Sequence, residues 1–137
     1  MRKVFPTILA YSLLAVGPLG WTISCFADEV EIVETRFEKR GDTWTVHTTL
    51  RHEDSGWDHY ADKWRVIDRH SKTLGERVLF HPHENEQPFT RSQSGVRIPD
   101  DVPVVYVEAH DKIHGWSKQR VLVDLRRKKG ARYTVSR

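Results

Sequence analysis

Apolar and polar residues alternate with a period of two through this chain, which limits it to extended strands. The clearest run covers residues 43–51. Four of its residues would share one face: Trp44, Val46, Thr48 and Leu50. Shorter runs of the same kind are found at 63–66, 104–109 and 120–125. No stretch keeps a period of 3.6 over the length of an ordinary helix, so the sequence predicts an all-β protein.

Turn-forming clusters divide the chain into seven predicted strands. The strands are expected near residues 29–38, 42–52, 62–69, 76–83, 90–98, 103–111 and 117–126. Seven short strands with a tryptophan, Trp64, in the third favour a single antiparallel sandwich of the immunoglobulin or fibronectin III type. Strand count alone does not separate this fold from a small barrel.

The first 27 residues have the composition of a cleavable signal peptide. Two basic residues, Arg2 and Lys3, precede an apolar run over residues 4–21. Small side chains at Cys25 and Ala27 favour cleavage after Ala27. Cleavage there predicts a periplasmic or secreted protein with no stable membrane span.

Two alternatives to cleavage after Ala27 remain open. An uncleaved membrane anchor is disfavoured by Pro6 and Pro18, which interrupt the apolar run. A lipoprotein acylated at Cys25 is disfavoured by Thr22, which is a poor residue three positions before such a cysteine. Because Cys25 is the single cysteine, the rest of the chain has no disulfide and no thiol ligand.

The charge pattern gives a predicted organisation and excludes one class of partner. Without Arg2 and Lys3 the chain has 20 basic and 19 acidic residues, and six of the basic ones fall in the last twelve positions. Residues 28–125 then carry a net charge of −5, which argues against nucleic-acid binding. We expect a signal peptide at 1–27, one sandwich domain at 28–126 and a basic, disordered tail at 127–137.

Three longer connections of the predicted sandwich would meet at one end, since successive connections in such a fold alternate between its two ends. They run over residues 52–61, 81–89 and 110–116. Six of the eight histidines fall in or beside them: His52, His59, His81, His83, His110 and His114. Six acidic residues share these segments and could bind a metal or orient a histidine: Glu53, Asp54, Asp58, Glu84, Glu86 and Asp111.

This clustering predicts a site for a divalent metal. Imidazole suits copper and zinc, and the absence of Cys and Met after residue 27 excludes thiolate and thioether sites, so copper(II) or zinc is expected. The triplet His81-Pro82-His83 would place two imidazoles on one side of an extended chain. The preferred ligands are therefore His81, His83, His52 and His110, followed by His59 and His114. The alternative is that these are ordinary surface histidines.

Two other functions compete with metal carriage or buffering. The same loops could grip a periplasmic protein partner through aromatic and charged residues: Trp57, Asp58, Tyr60, Glu86, Arg91 and Trp116. A metal-dependent hydrolase ranks third, since it would need an open coordination position and a base such as Glu86. A serine nucleophile is disfavoured, because Ser55 has no strained turn and no evident oxyanion hole around it. We therefore expect a protein that is not an enzyme.

Three motifs resemble a family of small secreted bacterial proteins with no established activity. They are the stretch from Gly56 to Trp64, the triplet His81-Pro82-His83, and the stretch from Glu86 to Ser92. The resemblance spans most of residues 44–123. It implies export and one compact domain, and it implies nothing about chemistry.

Overall fold

The computed structural model of the protein describes residues 29–137. The predicted signal peptide at 1–27, with Cys25, lies outside the described residues. Nine strands follow one another: β1 (Glu31–Arg40), β2 (Thr43–Arg51), β3 (Ala61–Ile67), β4 (Thr73–Val78), β5 (Phe89–Val96), β6 (Val104–Asp111), β7 (Gly115–Asp124), β8 (Lys129–Gly130) and β9 (Tyr133–Ser136). No helix between residues 29 and 137 is long and apolar enough to cross a membrane.

The strands form two sheets that face each other across one core. Sheet A has the order β5-β2-β1-β9-β8, and sheet B has the order β4-β3-β6-β7. The four alternating residues predicted to share a face of β2 are all buried, and Trp64 is fully buried in the same core. The architecture is therefore sandwich-like and all-β, and the alternative of a small closed barrel is wrong.

The predicted count of seven strands is also wrong, because the end of the chain adds β8 and β9. β9 pairs in parallel with β1, and Tyr133 and Val135 on it are buried. These two apolar residues are separated by one polar residue, so they form a strand pattern only three residues long among basic neighbours. The expectation of a disordered tail over residues 127–137 is corrected by this pairing.

Gly130 explains how this last hairpin packs against itself. A Cβ atom at Gly130 would lie 2.2 Å from the ring of Tyr133. A side chain at this position would displace the buried ring, since that separation is far inside van der Waals contact. Glycine therefore allows β8 to lie against the ring of Tyr133.

Strand pairing brings the histidine-bearing loops to one end of the sandwich. Ala61 at the start of β3 pairs with Asp111 at the end of β6, and Asp111 pairs with Gly115 at the start of β7. In sheet A, Leu50 near the end of β2 pairs with Phe89 at the start of β5. The loops at residues 52–60, 79–88 and 112–114 therefore all leave the sheets at the same end.

Candidate metal centre

His52 follows the last residue of β2 and is held from one side by a buried carboxylate. Its Nδ1 lies 2.6 Å from Oδ1 of Asp54. Because an ionised carboxylate only accepts hydrogen bonds, Nδ1 of His52 carries the proton and Nε2 carries the lone pair. The side chain is 1% exposed, so this orientation is fixed inside the protein.

Asp54 connects three segments of the loop end through hydrogen bonds. Its Oδ1 also accepts a hydrogen bond from the backbone NH of Ala61 at 2.9 Å, and its Oδ2 accepts one from the backbone NH of His83 at 2.7 Å. Burial alone would raise the pKa of Asp54, but the hydrogen bonds from His52, His83 and Ala61 outweigh burial and hold the pKa below its ordinary value. Asp54 is therefore ionised and able to orient His52.

Asp111 is the second buried carboxylate of the loop end, and only one of its oxygens is used by the protein. Oδ1 accepts hydrogen bonds from the backbone NH groups of Ile113 at 2.8 Å and His114 at 2.7 Å, and it lies 3.1 Å from Nδ1 of His114. Oδ2 is buried and has no hydrogen-bond partner among residues 29–137. A buried carboxylate oxygen without a partner is costly unless a cation or a donor satisfies it.

His59 lies between the other histidines of this end. Its ring centroid is 4.9 Å from that of His52 and 5.2 Å from that of His114. Its Nε2 is 3.6 Å from Oδ1 of Asp111, and this nitrogen is buried without a hydrogen-bond partner in the described part of the chain. The unsatisfied nitrogen therefore lies beside a carboxylate whose other oxygen, Oδ2, also has no hydrogen-bond partner among residues 29–137.

The three side chains His52, His59 and Asp111 offer a set of donor atoms that could hold one ion. One donor atom from each lies within 4.8 Å of the other two. Ligands bound at about 2.1 Å around a tetrahedral ion stand about 3.4 Å apart, so the donors would close in by about 1.4 Å at most. Two imidazoles and a carboxylate are a donor set used by zinc and copper(II).

Two of the four histidines that the sequence prediction preferred, His81 and His83, lie outside this set. His81 is exposed, and its ring lies 4.5 Å from that of His83, as the spacing of two suggested. His83, however, is stacked on Phe89 with ring centroids 3.9 Å apart, and Arg91 donates a hydrogen bond of 2.8 Å to its Nε2. Nε2 of His83 is therefore already used by Arg91, and its Nδ1 lies 3.9 Å from Oδ2 of Asp54, outside the set of three donors.

The pKa of His83 agrees with this structural role. Burial lowers it below its ordinary value, and the nearby charges of Arg91 and His81 lower it further. Arg91 is held in turn by Glu86, with 3.1 Å between Nη2 and Oε2. This ion pair links the loop between β4 and β5 to the start of β5.

His110 is also separated from the cluster, because neighbouring residues of a strand point to opposite faces. Asp111 points into the sandwich, so His110 points away from it. Nδ1 of His110 lies 2.6 Å from Oδ1 of Asp62, and its ring lies 4.9 Å from that of Trp116. Trp116 is covered by the guanidinium of Arg65 at 3.8 Å, so it lies on the outer face of sheet B.

The remaining residues of the predicted binding surface lie at the loop end. Trp57 is 65% exposed and contacts Tyr60, which is buried, with ring centroids 6.1 Å apart. Asp58 beside it is exposed. A shallow cleft of about 460 Å³ runs from Trp57 along His81, Glu84 and Glu86.

Two residues of the candidate centre were predicted only as members of the group of six loop acids, without separate roles. These are Asp111, as a donor, and Asp54, as the residue that orients His52. A signal for each was present: Asp54 stands two residues after His52, and Asp111 stands three residues before His114. Short spacing between a histidine and an aspartate at a strand end marked both.

Comparison with known proteins gives one relative. The chain is similar to a protein of Halomicrobium mukohataei that carries the name "Putative lipoprotein", with 36% identity over 97 residues. The match covers 70% of this chain and 47% of the relative, so the chain spans about half the length of the curated relative it matches. No family model and no solved structure matches the chain.

Proposed function

We propose that this chain is an exported protein that binds one divalent ion, zinc or copper(II), through His52, His59 and Asp111. The observation that carries the proposal is that two buried polar atoms of one side-chain contact, Nε2 of His59 and Oδ2 of Asp111, have no hydrogen-bond partner among residues 29–137. Nε2 of His59 lies 3.6 Å from Oδ1, the other oxygen of the same carboxylate. A bound cation would satisfy both at once, and a neutral imidazole beside an ionised carboxylate is the arrangement that metals use.

The chemistry of the donors decides which ions fit. The set has no sulfur ligand, which disfavours copper(I), and its imidazoles disfavour magnesium and calcium, which take oxygen ligands. The hydrogen bond from Nδ1 of His52 to Asp54 raises the basicity of that ring and directs Nε2 toward the ion. The role we assign is carriage or buffering of the ion, without catalysis.

Calorimetric titration of the purified protein with zinc chloride and with copper(II) chloride tests the proposal. We expect binding tighter than micromolar at pH 7, with a strong loss of affinity in His59→Ala and in Asp111→Asn. Binding should also weaken below about pH 6, because protons compete for the ligand imidazoles. His81→Ala should bind as tightly as the wild type, since His81 is exposed and lies outside the donor set.

A histidine at the other end of the sandwich serves as the matched control. His70 lies in the connection between β3 and β4, is exposed and has no contact with the loop end. His70→Ala should leave the affinity unchanged. Loss of binding in His81→Ala with none in His59→Ala would contradict the proposal, as would wild-type binding no tighter than micromolar.

Export is part of the same proposal and has two kinds of support. Residues 1–27 have the composition of a signal peptide, and the name of the Halomicrobium mukohataei relative describes a lipoprotein. We propose a periplasmic or secreted protein cleaved after Ala27, and acylation at Cys25 is the competing form. Intact-mass measurement of the exported protein separates the two, because only the acylated form keeps Cys25 and carries added lipid mass.

We propose further that the sandwich belongs to the immunoglobulin or fibronectin III class. Support comes from the strand order, in which β1, β2 and β5 share one sheet while β3, β6 and β7 share the other. The buried Trp64 on β3 stands where such domains place their core tryptophan. Domains of this class carry binding residues on the loops at one end, as proposed here.

Binding of a protein partner is a second candidate function, favoured by the exposure of Trp57. An aromatic ring that is 65% exposed at the edge of a cleft is a common anchor for a partner. Glu84 and Glu86 line the same cleft. Metal binding and partner binding would then use neighbouring parts of one loop end.

A further inference from the structure

The proposed metal centre is closed on one side and open on the other. The side chains of His52 and Asp111 are 1% and 0% exposed, whereas those of His59 and His114 are 22% and 34% exposed. An ion bound between the three donors would be covered by the sandwich at its inner side. Solvent reaches it past His59 and His114.

His114 is placed beside this opening by its own backbone. The carboxylate of Asp111 accepts the backbone NH of His114 at 2.7 Å, which fixes the short turn between β6 and β7. Nδ1 of His114 lies 3.1 Å from Oδ1 of Asp111, which is close to the separation of about 3.4 Å between neighbouring ligands on a tetrahedral ion. The ring belongs to the edge of the centre.

His114 is nevertheless outside the group of three mutually close donors. Its ring would have to rotate about its side-chain torsions to bring a nitrogen onto the ion. The partial exposure of the ring allows that rotation, which the fully buried His52 and Asp111 cannot make. A centre with three fixed protein donors leaves one tetrahedral position for such a ligand.

We propose that His114 is a fourth, exchangeable ligand, which closes over the ion after capture and dissociates first on release. This inference rests on the proposed function. It makes the centre a site of metal transfer, in which an incoming nitrogen or oxygen ligand of an acceptor takes the position of His114. The three fixed donors then hold the ion while His114 is dissociated, and His114 adds to the affinity and slows the release of the ion.

Electron paramagnetic resonance of the copper(II) form counts the ligand nitrogens and tests the inference directly. The wild type should show three coordinated nitrogens, from His52, His59 and His114. His114→Gln should show two, and its amide can still donate a hydrogen bond to Asp111, so the turn is kept. His70→Ala is the control and should show three.

Release of zinc to an excess of chelator gives a second, kinetic measurement. We expect the release rate to rise and the affinity to fall by about tenfold or more in His114→Gln, because removing a single group from a metal site costs on the order of 10–100-fold. Circular dichroism should show the same fold for the variant and the wild type.

The outcomes separate the inference from the proposed function. Two nitrogens in the wild type, or a nitrogen count and release rate that His114→Gln leaves unchanged, would overturn the role of His114 while binding by His52, His59 and Asp111 stands. Absence of copper and zinc binding by the wild type would overturn both.

Discussion

At the scale of single residues, the proposed metal centre depends on two buried aspartates with different roles. Both carboxylate oxygens of Asp54 accept hydrogen bonds from the protein. Only Oδ1 of Asp111 does so, and its Oδ2 has no hydrogen-bond partner among residues 29–137. In the proposed metal centre the first carboxylate would therefore orient a ligand and the second would be a ligand. This difference makes separate predictions for the two residues.

Asp54→Asn should weaken zinc binding by about 10–100-fold, although Asp54 does not contact the ion. An amide has one acceptor oxygen where the carboxylate has two, so it cannot accept hydrogen bonds both from Nδ1 of His52 and from the backbone NH of His83 as Asp54 does, and the orientation of the His52 ring is weakened. Calorimetry on folded protein measures the effect. Asp58→Asn is the control, since Asp58 is exposed on the same loop, and an equal loss in both variants would contradict the role of Asp54.

Asp54 also predicts how the metal-free protein responds to acid. The pKa of Asp54 lies below its ordinary value of 3.8, because its hydrogen bonds outweigh the effect of burial. The ionised group therefore contributes stability above pH 3.8, and this contribution is lost as the pH falls through the lowered pKa. Denaturant unfolding from about pH 6 to about pH 2 should show the gap between wild type and Asp54→Asn shrinking below about pH 4. A gap that stays constant would refute this.

At the scale of strands, the last hairpin is an integral part of sheet A. β9 pairs with β1 next to the core, and its two apolar residues are buried beside Phe37 and the rest of the core cluster. Substitutions in a tail that does not pack against the domain would leave its stability unchanged. Substitutions of the buried side chains of a paired strand should lower it.

Val135→Ala should destabilise the protein by about 2 kcal/mol, because it removes two buried methyl groups and leaves a cavity. Thr134→Ala, on the exposed face of the same strand, should change stability by no more than about 0.5 kcal/mol. Denaturant unfolding monitored by tryptophan fluorescence measures both. Equal stability of the two variants would mean that β9 does not belong to the folded core.

The strands also show where sequence patterns stop being informative. The alternation in β2 predicted its buried face correctly, because nine residues of one period leave no other register. In β9 only Tyr133 and Val135 alternate with polar residues, and six basic residues lie in the same twelve positions of the chain. The high charge of this segment therefore led to the prediction of a disordered tail in place of a strand. Strand content was readable from sequence, and a parallel partner a hundred residues away was not.

For the histidines, too, the sequence predicted their position in the fold and could not predict their contacts. That His52, His59 and His114 lie at one end followed from counting connections. His110 precedes Asp111 by one residue on β6, and a shift of one residue along a strand exchanges the two faces, so its ring lies on the outer face of sheet B. Nε2 of His83 is taken by Arg91, a side chain on β5 that no pattern within the loop links to it.

At the scale of the whole molecule, the proposed metal centre lies at the loop end of the sandwich and draws on both sheets. The buried donors come from the ends of β2 and β6, and His59 lies on the loop between β2 and β3. A centre built from both sheets should form only when the sandwich is folded, so zinc should stabilise the fold as it binds.

The most direct test of the central claim is anomalous diffraction at the zinc absorption edge from crystals of the zinc-loaded protein. The account predicts one anomalous peak at the loop end, about 2.1 Å from Nε2 of His52, from Nε2 of His59 and from an oxygen of Asp111. A peak at His81 and His83, or none at the loop end of the sandwich, would contradict it.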